Sequence, residues 1–294
     1  MTLGESSEDQ IIERICSQLT QRSDILVGPG DDCAVVQLEN GALQLQKTDC
    51  VVEGVHFYPE EMAERVGWKA MARVVSDIAA MGGTPSSMLV TLILRSDTKL
   101  AWLEALYQGI QNCANTFDFS IVGGETSSAP KDSANMLSIA GTGNVTKDNL
   151  ILRSTANQGD TIFVTGRLGG SLTGKHLDFT PRVKESQWLA NHCKPSAMMD
   201  LSDGLAKDLP RLAKLSNLGF LLDPQTLPIS PNCTVEQALG DGEDYELLFT
   251  LPTQQVEYLL SNWPGDLTPL TQIGILEQRS ETNTALDGGW DHFY

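Results

Sequence analysis

The sequence predicts an α/β (α+β) protein of two domains, and three features of the chain carry that prediction. Strand-like and helix-like segments alternate in both halves. A polar, turn-forming stretch, "KDNLILRSTANQGD", interrupts them around residues 147–160. The 294 residues are enough for two domains of ordinary size with a proper core. The boundary is accordingly placed after residue 147, giving an N-terminal domain over 1–147 and a C-terminal domain over 148–294.

In chain order, residues 8–19, "EDQIIERICSQL", repeat apolar side chains at helical spacing, with acidic residues in the first turn. "CAVVQL" and "ALQLQKTDCVV" read as strands on either side of Asn40-Gly41, a hairpin signal. "AERVGWKAMARVVSDIAAMGG" predicts a helix ending on paired glycines, and "SSMLVTLIL" a buried strand. A helix over about 99–115 leads to the strands "FSIVGG" and "NMLSIAGTGNV". In the second half "DTIFVTG" opens the strands, helices are predicted near 171–177 and 204–217, and "ELLFTL" and "TQIGIL" return to strand.

Composition narrows the function. The formal charge is −18, from 38 acidic against 20 basic side chains, which disfavours nucleic acid or an anionic membrane as partner because both need basic patches. A phosphate substrate would need its charge and the protein's offset, and Mg²⁺, a hard cation that takes oxygen ligands, is suited to that. Cys16, Cys33, Cys50, Cys113, Cys193 and Cys233 form no C-x-x-C pair, and His56, His176, His192 and His292 form no H-E-x-x-H. Scattered thiols, no basic and apolar leader and no apolar run of membrane-spanning length predict a cytoplasmic location.

"GGSLTGKH", from Gly169, nearly matches the phosphate-binding P-loop. His176 stands where the motif needs a hydroxyl for Mg²⁺, so the stretch reads as a glycine-rich turn.

The stronger signal is a set of carboxylates beside glycines at element ends: "GPGDDCA", "KTDCVVEGVHF", "VVSDIAAMGG", "VGGETS", "MMDLSDGL" and "GDGEDYELLF". Each alone suits a turn or a helix cap. Together they point elsewhere, because Asp49, Asp77 and Asp200 sit in or beside apolar sequence, where an unpaired carboxylate is costly to bury. Metal coordination relieves that cost, and carboxylate-held Mg²⁺ supplies the charge neutralisation that phosphoryl transfer needs.

The ordered set G-D-D, T-D-x-x-x-E-G-V-H-F, V-S-D-x-x-A-M-G-G, V-G-G-E-T, M-D-L-S-D-G-L, G-E-D-Y-E-L and the terminal "GWDHF" resembles the thiamine-monophosphate kinase family, within the aminoimidazole ribonucleotide synthetase-like superfamily. The resemblance covers nearly the whole chain. It implies an N-terminal domain that dimerises through its sheet, a C-terminal α/β domain, and ATP in the cleft between them without a P-loop. The implied reaction is Mg²⁺-dependent, in-line transfer of the ATP γ-phosphate to thiamine monophosphate by a homodimer.

Carried across residue by residue, the resemblance implies metal ligation by Asp32, Asp49, Asp77, Asp200 and Asp203, with Thr48 and Ser202 near metal or nucleotide. Gly124 and Glu125 match a loop that meets ATP and one metal, and Arg153 matches an ATP contact. His56 and Glu243 match substrate-binding positions, and Trp290 an aromatic that can stack on the cationic thiazolium. His56 could equally be an ordinary half-buried histidine, and Trp290 could simply pin the C-terminus. Two positions depart from the pattern: Lys47 stands where Ser or Thr is usual, and Glu125 where Asp is common. Asp31 and Asp32 are neighbours whose side chains should face opposite ways and so not serve one cluster together; the resemblance implies Asp32 as the ligand, which leaves Asp31 as a corner cap or an orienting group. The competing functions are another ATP-dependent enzyme of the superfamily, a non-catalytic nucleotide or metal binder, and a P-loop hydrolase using Lys175.

Overall fold

The computed structural model describes residues 3–291; His292 and Phe293 of the terminal motif, and Tyr294, lie outside the described residues. The N-terminal half runs α1 (Glu8–Cys16), β1 (Ile25–Val27), β2 (Ala34–Gln37), β3 (Leu43–Val52), α2 (Ala63–Ala80), β4 (Thr84–Arg95), α3 (Leu100–Phe117), β5 (Ser120–Ala129) and β6 (Met136–Val145). The C-terminal half runs β7 (Thr161–Thr165), α4 (Val183–His192), β8 (Ala197–Asp200), α5 (Leu205–Leu215), β9 (Leu218–Leu222), α6 (Val235–Gly240), β10 (Leu247–Leu251), α7 (Thr253–Asn262) and β11 (Leu270–Gln278).

The first sheet has the order β1-β2-β3-β6-β4-β5, antiparallel except for the parallel pair β4/β5, which α3 connects. Its residues alternate between two faces. Leu43, Leu45 and Val51 of β3, Met88, Val90 and Leu92 of β4, and Leu137 and Ile139 of β6 are buried in one core with α2 and α3. The opposite face is bare: Leu89 and Val122 are 46% and 60% exposed, and most of β5 is exposed.

The second sheet is antiparallel throughout, in the order β8-β10-β7-β11-β9. Its three strands β8, β10 and β7 are buried at every residue, which explains their continuous apolar runs. One face packs on α5 and α6, the other on α4 and α7. The helix predicted near 171–177 is instead two three-residue 3-10 turns separated by Gly174, whose φ of 117° interrupts any longer helix.

Helix α2 joins the two halves. Along one side it lies so close to β6 that a Cβ on Gly141 or Gly143 would come within 2.6 Å of Val74 or Ile78. Its C-terminal carbonyls are met by the second half: Ser186 Oγ donates to Ala79 O, and Gln187 Nε2 donates to Gly82 O and Gly83 O at 2.9 and 3.0 Å. Helix α3 packs on α2 at a mutual pair of glycines, where a Cβ on Gly67 would sit 2.1 Å from Leu106 O and one on Gly109 would sit 1.8 Å from Glu64 O. Both obstacles are backbone, so neither can swing aside. Gly109→Ala is therefore expected to destabilise the protein by about 1–3 kcal/mol through overpacking, despite alanine's better helix propensity, read as a lower urea midpoint.

Candidate active site

Three carboxylates from three separate elements meet at one point. Asp32 follows the Gly-Pro-Gly corner before β2, Asp77 lies in the last turns of α2, and Asp200 ends β8. Each offers an oxygen within 4.8 Å of the others, at 1%, 6% and 2% exposure. Burial pushes the Asp77 carboxyl well up and Asp200 to about 7, Asp200 helped by the charge of Asp32. The trio therefore calls for positive charge. Arg153 forks onto both oxygens of Asp32, Lys47 Nζ lies 2.7 Å from Asp77 Oδ1, and Ser76 Oγ donates to Asp200 Oδ2 at 2.6 Å. Asp31 turns back on the chain: its Oδ1 accepts from Asp32 N and its Oδ2 from Arg153 N, at 2.9 and 3.1 Å. Burial, then the adjacent Asp32, raises its carboxyl to about 6.

Lys69, Arg73 and Asp77 repeat every four residues on α2 and so form one polar stripe on a largely apolar helix. Lys69 is fully buried, yet Nζ meets His56 O at 2.7 Å, His176 Nδ1 at 2.6 Å and Glu243 Oε2 at 2.7 Å, one partner for each donor hydrogen. Burial draws its ammonium down to about 8, with Glu243 opposing. Burial alone would raise Glu243, but His176, Lys69 and Arg73 outweigh it and hold the carboxyl at about 2. The backbone of Glu243 is left-handed, at φ 51°, and its N–H donates to Ser202 O at 2.7 Å. Arg73 Nε bonds Asp49 Oδ2 at 2.9 Å. His56 Nδ1 accepts from Val52 N at 3.1 Å, which leaves the proton of the neutral ring on Nε2; burial, then Arg73, lowers its pKa to about 4.

The loop after β8 is built around Asp208, which is fully buried and accepts from the amides of Ser202 and Asp203, each at 3.0 Å. Arg211 ties Asp203, Asp208 and, from α1, Asp9 together. Trp290 is anchored by its backbone, N to Asp203 O at 2.9 Å and O to Lys207 Nζ at 2.5 Å, while its side chain is 46% exposed. Ser202, Asp203, Arg211 and Trp290 line one cleft of about 670 Å³, together with Asp77, Asp200, Lys47, His56, Arg73, Arg153 and residues of α1. That volume lies within the range of small-molecule sites.

Comparison with known proteins fits this geometry. The family model "AIR synthase related protein, N-terminal domain" matches residues 30–145. The thiamine-monophosphate kinase of Rhodopirellula baltica is 35% identical, the match covering 93% of this chain and 90% of that protein. That of Escherichia coli K12 is 32% identical, over 93% and 94%. The chain belongs to the thiamine-monophosphate kinase family. A solved structure described as "AaThiL complexed with AMPPCP and TMP" superposes with a TM-score of 0.86 at 30% identity, covering 99% of each chain.

Of the residues the family resemblance implied, Asp49, Asp77, Asp200, Ser202, Asp203, Arg153, His56, Glu243 and Trp290 line the cleft, and Asp32 is buried behind it against Asp77 and Asp200. Asp49 is off the trio, however, bonded to Arg73 and to its own neighbour's amide. Three others are not brought there. Thr48 follows the alternation of β3 onto the exposed face, away from Asp49, so its side chain is no ligand to the trio. Gly124 and Glu125 lie on β5, and the register Cys50–Ser138–Thr91–Glu125 puts Glu125 three strands from β3, about 14 Å at the usual spacing. The reason is topological: β6 and β4 intervene between β3 and β5. The P-loop look-alike is also accounted for. Gly169 N donates to Asp244 and Gly170 N to Asp241, while Lys175 Nζ donates to Arg167 O, so these groups already have partners within the chain.

Sequence reasoning missed Lys69, Arg73, His176, Asp208 and Arg211. For the first two a signal existed, two basic residues four apart inside an apolar helix that ends in Ser76-Asp77. Replacing Lys69 with Met leaves Glu243 buried with one partner fewer, which costs about 3–5 kcal/mol for a pair of this kind. Because Glu243 has its folded-state pKa lowered to about 2 from 4.5, its contribution is complete above about pH 4.5 and is lost as pH falls toward 2. The urea midpoint of Lys69→Met should thus lie below that of the wild type by a constant amount from about pH 5 to 7, and the gap should narrow in acid.

Proposed function

We infer that this chain is a thiamine-monophosphate kinase, transferring the γ-phosphoryl group of ATP to the phosphate of thiamine monophosphate to give thiamine diphosphate and ADP. The observation that carries the reading is the buried Asp32–Asp77–Asp200 trio, whose Asp77 and Asp200 line a cleft large enough for small-molecule substrates, in a chain of this family. The relative described with AMPPCP, an ATP analogue, and TMP supports the pair of substrates.

Three carboxylate oxygens are hard donors that fit Mg²⁺ far better than a soft metal, and the carboxyls of Asp77 and Asp200, raised by burial, support a site that takes up a cation. Bound there, Mg²⁺ would neutralise phosphate oxygens and hold the two anions together. The acceptor phosphate has a second pKa near ~6 and is largely ionised at neutral pH, so a direct in-line attack needs no strong base from the protein. The protein's side chains position and screen. Arg73 and neutral His56 supply donors toward anionic groups, and Arg153 holds Asp32 in place. Trp290 presents an aromatic face suited to the thiazolium cation. Asp203, off the trio and bonded to Arg211, and Ser202 line the same cleft and are read as a further metal ligand and a group near metal or nucleotide.

We read the two halves, 1–147 and 148–294, as the domains that enclose this cleft. The bare face of the first sheet is the surface through which two copies would pack, since exposed Leu89 and Val122 lie there beside Thr48 and Glu125. Gly124 and Glu125 then act at or across that interface. Six unpaired cysteines suit a reducing cytoplasm, and among the described residues no helix is long and apolar enough to cross a membrane.

Purified protein with Mg·ATP should form thiamine diphosphate and ADP in equal amounts, only when thiamine monophosphate is added; ADP formed without the acceptor would sink the reading. Asp200→Asn keeps an acceptor for Ser76 Oγ and relieves a buried charge, so it should fold normally while losing about 100-fold or more in turnover. Val122→Asp should shift a dimer to monomer in analytical ultracentrifugation, and an unchanged sedimentation coefficient would remove the bare face as the interface.

A further inference from the structure

Lys47 is the residue at the trio that the reaction as derived above does not require. It sits on β3 two residues before Asp49 and so on the same face, and it lines the cleft. Its Nζ is 2.7 Å from Asp77 Oδ1, an oxygen of the carboxylate that faces Asp32 and Asp200. A lysine amine is an ammonium at neutral pH, and at this distance from a carboxylate it forms an ion pair. An ammonium has three donor hydrogens and no lone pair. It cannot ligate a metal, it takes up an oxygen a metal would use, and its charge repels a divalent ion placed beside it. The hydroxyl that the family resemblance leads one to expect here could do the reverse.

We propose that Lys47 is a fixed cation standing in for one divalent ion of the site, so that this protein holds one fewer Mg²⁺ beside Asp77 than a chain with a hydroxyl at position 47. The inference rests on the reading of the trio as a metal site. It makes the charge that screens Asp77 independent of dissolved metal, because a side chain on a strand cannot dissociate. Arg153 on Asp32 is a second fixed charge, but it approaches from the segment between the sheets and leaves Asp77 to Lys47.

The test counts bound Mn²⁺ by electron paramagnetic resonance titration, with AMPPCP present, in wild type, Lys47→Ser and Lys47→Arg. Lys47→Ser should bind one more Mn²⁺ per chain than the wild type, and Lys47→Arg, which keeps the charge, should bind the wild-type number. Equal counts in wild type and Lys47→Ser, or an added ion in Lys47→Arg, would overturn the proposal. If both proteins still form thiamine diphosphate with equal counts, only the fixed cation is lost and the kinase reading stands. If neither binds Mn²⁺, the fixed cation and the metal site fall together. Urea unfolding of each variant shows that the counts refer to folded protein.

Discussion

Three carboxylates held within 4.8 Å of one another in a buried pocket are the constraint around which the rest of the molecule is arranged. Without compensation such a cluster repels itself and loses its hydration. The protein answers from three directions, with an arginine fork on Asp32, a lysine on Asp77 and a hydroxyl on Asp200. The carboxyls of Asp77 and Asp200 nevertheless stay raised, so the compensation is partial. In a chain of net charge −18, basic side chains are thus gathered where the carboxylates crowd.

The constraint can be met only because α2 belongs to both halves. Its apolar side makes the core of the first sheet, its C-terminal carbonyls are taken by α4, and its polar stripe carries Lys69, Arg73 and Asp77 to the cleft. Lys69 shows what this costs locally: a fully buried ammonium is tolerable because all three of its hydrogens have acceptors, including Glu243 from the other half. Removal of any one of these groups leaves a buried charge unmatched. The same bonds that hold the halves together also fix His56 and Glu243 on the wall of the cleft.

Much was legible in the sequence where chemistry is local. Hydrophobic spacing located the hairpin, α2, β4 and α3, since all of them contribute apolar side chains to the first core. The helix near 171–177 was misread because glycines at left-handed φ cut it into separate turns, and α4, which lies in polar sequence, gave too weak a period to be seen. Among site residues, Asp77 and Asp200 announced themselves as carboxylates beside apolar sequence, but so did Asp49, which the structure bonds to Arg73 instead, while Asp32 came from the family resemblance. Thr48, Gly124 and Glu125 sat in equally distinctive motifs, yet strand alternation and sheet order place them elsewhere. Lys69 and Arg73 were passed over because a basic residue in a helix is ordinarily solvated.

The amino-acid sequence by itself determined the fold class, the family and the kind of chemistry, because these depend on residue types and spacings along one chain. Only the tertiary structure decided which carboxylates share a site, which face of β3 meets it, and which basic groups answer the charge. Those choices depend on distances between residues as far apart in sequence as Asp32 and Asp200, set by how α2 packs between two sheets. No local pattern encodes that packing. Lys47 shows the difference: a departure from a motif in the sequence, it becomes in three dimensions the counter-charge of Asp77.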